Sequence, residues 1–133
     1  MRAYHVDIVA IASSADGKWI DNLLSHHTIS GVERERQGVT RRVSLAGILH
    51  IVLIRQLMVR LGVRTATAVA LAAQALREGG GTVIVAPGVS LVVDRESLSR
   101  EVESRVSEAV ESVVRARRGR PPSKRPPDIA GLP

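Results

Sequence analysis

The chain has 133 residues, 44% of them hydrophobic, with 19 Lys and Arg against 13 Asp and Glu and a formal net charge of +6. One compact body with a real core is expected at that size; with Tyr4 and Trp19 as the only aromatics and no Phe, the core must be Val, Leu, Ile and Ala. So few rings exclude a base-stacking platform for single strands or RNA, and the absence of Cys excludes disulfides, thiolate nucleophiles and zinc fingers and fits a reducing cytoplasm.

The start, Met1 to Asp7, lacks the apolar core of a signal peptide. The most apolar stretch, Ile48 to Leu61, is interrupted by His50, Arg55 and Arg60, so no membrane span is expected. From Val6 to Ser13, the residues Val6, Ile8, Val9, Ile11 and Ala12 make the apolar stripe of a short helix, and Ser14-Ala15-Asp16-Gly17 breaks it as a turn. Asp16 then caps a second helix from Gly17 to Ser25, with Trp19, Ile20, Leu23 and Leu24 inward and Lys18, Asp21, Asn22 and Ser25 outward. Two short helices across a tight turn make a helix-turn-helix, whose second helix normally enters the major groove.

The polar, basic stretch from Ile29 to Val43, with Gly31 and Gly38 at turning positions, predicts a wing. Ser44 caps a long helix to about Leu61, apolar nearly all round at Ile48, Leu49, Ile51, Val52, Leu53, Leu57 and Met58 and therefore central; Gly62 ends it. Ala-rich Thr65 to Leu76 is a second packing helix, and Glu78-Gly79-Gly80-Gly81 marks its end and a linker.

Thr82 to Ala86 and Val89 to Asp94 are β-branched runs around Pro87-Gly88, the composition of a hairpin. A lone ribbon is marginal in water, so it should pack on a helix or pair with a second subunit's ribbon. Asp94 caps a final helix in which Leu98, Val102, Val106, Val110 and Val113 recur every three to four residues, with Glu96/Arg100, Glu101/Arg105 and Glu111/Arg115 as i,i+4 pairs on other faces. Over roughly 20 residues this stripe runs about 30 Å, more than so small a core is expected to cover, and it predicts homodimerisation through those five residues. The expected fold is mainly α with small β elements: a winged helix-turn-helix over residues 1 to 78, a hairpin and dimerisation helix over 82 to 117, and a disordered basic tail over 118 to 133.

Charge is polarised along this plan. Residues 1 to 64 hold 9 Lys and Arg against 5 Asp and Glu, residues 65 to 114 hold 4 against 7, and residues 115 to 133 hold 6 against 1. A phosphate polyanion is drawn to the two basic ends and repelled by the middle, with steep salt dependence.

From about Val6 to Leu76 the chain resembles the MerR-like family of bacterial winged-helix regulators. The residues that carry this are Ile11-Ala12 before the turn, Asp16-Gly17-Lys18 opening the second helix, Gly38-Val39-Thr40-Arg41-Arg42-Val43-Ser44, and Leu61-Gly62-Val63 between the last two helices. The resemblance implies dimeric DNA binding, with Arg41 and Arg42 matching the basic pair that grips phosphate in the family's wing. The family's aromatic in the recognition helix is replaced around Asn22 and Leu23, and its wing aromatic by Val43. No familiar effector domain follows, so the resemblance lends little to metal, drug or redox sensing. Separately, Arg118-Gly119-Arg120-Pro121 resembles the core of an AT-hook, in which Gly lets the backbone approach the minor-groove floor, Pro keeps it extended and the two Arg reach along a narrow A·T groove.

The candidate DNA contacts are therefore Lys18, Asp21, Asn22, Ser25 and His26 on or beside the second helix, Arg34, Arg36, Arg41 and Arg42 from the wing, and Arg118, Gly119, Arg120, Pro121, Lys124 and Arg125 from the tail. Lys suits guanine and Asn adenine. The plainer reading is a solvated surface, with Glu33 and Glu35 neutralising the wing and the tail a solubilising end. His26 and His27 are adjacent and diverge, and His5 and His50 stand at no ligand spacing, so neither metal nor cofactor is expected. His50 is expected as a hydrogen-bonded core residue. No nucleophile, acid and base stand in a recognisable constellation, and no enzyme is expected.

The function expected is a bacterial, cytoplasmic, nucleoid-associated homodimer that binds specific double-stranded DNA as a repressor or autoregulator. An antitoxin-like module whose acidic C-terminal half binds a protein partner is the rival, and a nucleoid architectural protein the third reading.

Overall fold

The structure, a computed structural model, describes residues 2 to 33 and 41 to 119. It is mainly helical, with two small antiparallel two-stranded sheets. In chain order the elements are β1 (Ala3–His5), α1 (Val6–Ser13), α2 (Gly17–His26), β2 (Arg42–Ser44), α3 (Leu45–Leu61), α4 (Thr65–Leu76), β3 (Thr82–Ala86), β4 (Val89–Val92) and α5 (Arg95–Gly119).

The helix ends follow local chemistry. Asp16 Oδ1 accepts the Lys18 N–H at 3.1 Å, Ser44 Oγ the Gly47 N–H at 3.2 Å, and Asp94 Oδ1 the Ser97 N–H at 3.1 Å, so each expected cap is in place. His5, which the sequence did not mark, caps α1 by accepting the Asp7 N–H at Nδ1, 3.2 Å away. Gly62 closes α3 in the left-handed region at φ 67°, where an L side chain is strained and glycine is not. Ser14 closes α1 in the same conformation at φ 54°, although it carries a Cβ.

The core centres on α3. Ile48, Ile51, Val52 and Ile54 are buried around it, where it meets α1, α4, α5 and β2. Its residues face neighbours on nearly every side, which is why its apolar residues show no single stripe. Arg55 lies over the Trp19 ring at 4.9 Å from the centroid, fastening α2 to α3 by a cation–π contact.

β1 pairs antiparallel with β2 in the register Ala3 to Ser44, Tyr4 to Val43 and His5 to Arg42. On the other side of β2, Val32 bridges Val43, the Glu33 N–H donates to the Arg42 carbonyl and the Ser44 N–H to the Gly31 carbonyl, both at 2.9 Å. The short strand β1 had no signal of its own in the sequence. Gly31 stands in a turn as expected, at φ 89°, and is also a point of close approach: a Cβ there would lie 2.4 Å from the Gly47 nitrogen and 2.6 Å from Ser44 Oγ.

Four further expectations are corrected. The stripe of α5 was expected to need a partner helix, but Val102, Val106 and Ala109 are buried against α1 and α3 of the same chain, with Leu98, Val110 and Val113 half-buried at the margin of the same cluster. Two helices side by side, α1 and α3, rather than one, cover it. The core is accordingly continuous across residues 78 to 82, with Val83 and α5 in one cluster with α1 and α3. The glycines there do more than link: Gly80 donates to the Arg77 carbonyl at 2.8 Å and closes α4, and a Cβ on it would strike three carbonyls at 2.8 Å. Finally, α5 continues to Gly119, so Arg118 and Gly119 are helical rather than extended. A run of cations at a helix C-terminus complements the helix dipole and favours that continuation.

The hairpin forms as expected about Pro87-Gly88, with Gly88 at φ 80°, although β4 stops at Val92. Two α5 arginines serve neighbouring helix ends. Arg95 donates to the Arg77 carbonyl at 3.1 Å and Arg105 to the Ala12 carbonyl at 3.4 Å, and Arg105 is also paired with Glu101 at 2.9 Å.

Candidate nucleic-acid interface

The turn Ser14-Ala15-Asp16 sets α2 on α1 so that Ile20 and Leu23 are buried and Trp19 and Leu24 half-buried. The opposite side of α2 is left polar: Lys18, Asp21, Asn22, Ser25 and His26 are all exposed. These five expected residues thus share one solvent-facing helix surface. His26 is turned back on its own helix, its Nδ1–H donating to the Asn22 carbonyl at 2.8 Å. A cationic or donor side chain at that end complements the free carbonyls of the last turn.

Arg41 and Arg42 are brought to this surface in different ways. The Arg41 guanidinium lies on α2, donating to the Asp21 carbonyl at 3.3 Å and to Ser25 Oγ at 3.2 Å, with the Asp21 carboxylate 4.0 Å away. Its side chain is 23% exposed. Arg41 is therefore a brace between the segment entering β2 and α2. Arg42, one residue on in an extended strand, is exposed. It shares a shallow concavity with Arg2, Ala3, Gly31, Val32, Glu33 and Ser44.

Arg2 was missed in the sequence, because only the β1–β2 pairing brings it to the concavity that Arg42 also lines. Its guanidinium carbon lies 6.0 Å from the Tyr4 ring centroid. Arg34 and Arg36 lie outside the described residues, as do Arg120, Pro121, Lys124 and Arg125. His50 donates from Nδ1 to the Ala46 carbonyl at 2.9 Å and is half-buried rather than in the core.

Among the described residues no group of three or more His, Asp or Glu is placed to hold a metal ion, and no helix is long and apolar enough to cross a membrane. No family model, curated protein or solved structure matches the chain.

Proposed function

We propose that this chain is a sequence-specific double-stranded DNA-binding protein that acts as a homodimeric transcriptional regulator, with α1 and α2 as a winged helix-turn-helix of MerR-like type. The observation that carries the reading is the polar outer face of α2, which projects beside the strand pair β1–β2 and is held to it by Arg41. In this reading Lys18 and Asn22 meet base edges in the major groove, Ser25 and the backbone around it meet phosphate, and Arg42 with Arg2 grips the flanking strand. Asp21 repels phosphate, so its carboxylate near Arg41 keeps that guanidinium oriented rather than adding affinity.

Two copies related by a two-fold axis read a palindrome with half-sites about 34 Å, or a multiple of that, apart. The basic tail adds affinity that any DNA sequence shares. In the cell the protein then works on the nucleoid.

The test is a competition assay on the DNA immediately upstream of the protein's own gene, with excess unrelated DNA, using the full chain and a version ending at Gly119. One competitor-resistant complex formed by both versions, and lost in Lys18→Ala/Asn22→Ala, supports the reading. Binding that is equal on every sequence, or that disappears with the tail, overturns it.

A further inference from the structure

The ribbon β3–β4 stands half in and half out of the core. Val83 is buried and its cross-strand partner Leu91 half-buried, whereas Ile84 is 76% exposed and Val92 73%, with Val85 and Val89 exposed at the tip. Alternation along the strands puts Ile84, Ser90 and Val92 on the outward face, since Ile84 is paired with Ser90 and Val92 with Thr82. The strands β3 and β4 pair with each other and with no other strand among the described residues.

The geometry points to this outward face as the surface on which a second copy of the chain docks, ribbon against ribbon across a two-fold axis. This names the interface of the dimer proposed above and rests on that reading for the number of copies. Residues 79 to 93 carry no charged side chain in a chain that is 24% charged. A neutral apolar face is self-complementary: two copies meet without like-charge repulsion, whereas a patch meant for a basic or acidic partner would carry the opposite sign.

The area is of the right order. Ile84 and Val92 carry the apolar surface of this face, and Val85 and Val89 extend it around the tip, to a total on the order of 400 Å², the size at which a patch marks an interaction site. Doubled across the axis, with main chain and rim added, it approaches the roughly 1,200 Å² lower bound of a specific interface. The irregularity between Ile84 and Ala86 bends β3 near the tip, which disfavours edge-to-edge extension and leaves face packing as the mode. The α5 stripe is not available for this task, being spent on α1 and α3.

The experiment is sedimentation equilibrium of the full-length chain, wild type against Ile84→Lys and Val92→Lys, with circular dichroism and melting to show that the outward-facing variants keep the fold. The expected result is a wild-type dimer whose self-association weakens about 100-fold or more in each variant. Because the chain has no Cys, Ser90→Cys gives an independent readout: mild oxidation should yield a disulfide-linked dimer, and Ser107→Cys on α5 should not. A monomeric wild type overturns the proposal and gives the ribbon to a different protein. A dimer that survives both Lys variants and leaves Ser90→Cys uncrosslinked overturns it too. Failure of the DNA reading is seen separately, as a ribbon-dependent dimer that retains no specific DNA.

Discussion

Arg41 and Ser25 join two segments that are distant in sequence: the guanidinium Nη2 donates to Ser25 Oγ at 3.2 Å while Nη1 holds the Asp21 carbonyl at 3.3 Å. The bond ties the approach to β2 to the outer face of α2. A double-mutant cycle of Arg41→Ala and Ser25→Ala in urea unfolding should show a coupling of about 0.5–1.5 kcal/mol. Strict additivity would remove the brace.

Arg42 differs from its neighbour because it is exposed. If it meets phosphate, Arg42→Ala should lower affinity for specific and unrelated DNA alike and reduce the salt slope by about 0.9, with little change in melting. Selective loss at one base pair in a salt titration would contradict the phosphate role.

Gly31 and Gly47 touch backbone to backbone, since a Cβ on Gly47 would lie 2.8 Å from the Gly31 carbonyl oxygen and one on Gly31 2.4 Å from the Gly47 nitrogen. Gly31 also sits at φ 89°. Gly31→Ala should destabilise by about 2–4 kcal/mol, from overpacking and left-handed strain together. Gly17→Ala is the control, because nothing lies within 4 Å of a Cβ there. Equal unfolding midpoints for the two variants would refute the close-approach account.

Ser14 ends α1 in the left-handed region at φ 54° and is exposed. Replacing it with Gly removes the steric cost of a Cβ there, offset in part by the entropy of a freer unfolded chain. Ser14→Gly should stabilise by about 0.5–1 kcal/mol. A lower melting temperature for this variant would mean that the hydroxyl contributes more than the strain costs.

Asp94 should make α5 acid-sensitive. Its carboxylate accepts hydrogen bonds from the Ser97 backbone and hydroxyl, with Arg100 near, and these hold its pKa below the usual 3.8. A folded pKa lowered in this way contributes stability that is present above about pH 3.8 and is lost as pH falls through the folded value. Asp94→Asn should therefore flatten the acid limb of the stability profile below pH 4 relative to wild type, and identical acid limbs would exclude the cap as its source.

Much of the information that lies within one turn of chain was legible in the sequence, the His5 cap of α1 being an exception. Asp16, Ser44 and Asp94 cap, Gly62 ends α3, and Pro87-Gly88 turns the ribbon, because each acts on backbone groups only a few residues away. The outer face of α2 was legible for the same reason: helical spacing alone separates Lys18, Asp21, Asn22 and Ser25 from Ile20 and Leu23.

Only the tertiary structure decided which partner each surface takes. Periodicity marked the α5 stripe as buried but not what buries it, and α1 with α3 does so within one chain. Three-residue β1 acquires its strand character, and Arg2 its place on the concavity that Arg42 also lines, from pairing with β2. Arg41 and Arg42 are identical in sequence terms and opposite in fate, because one reaches a carbonyl and a hydroxyl on α2 and the other does not face them. Burial and pairing between distant segments depend on how the faces meet, and a local pattern specifies the face without specifying its neighbour.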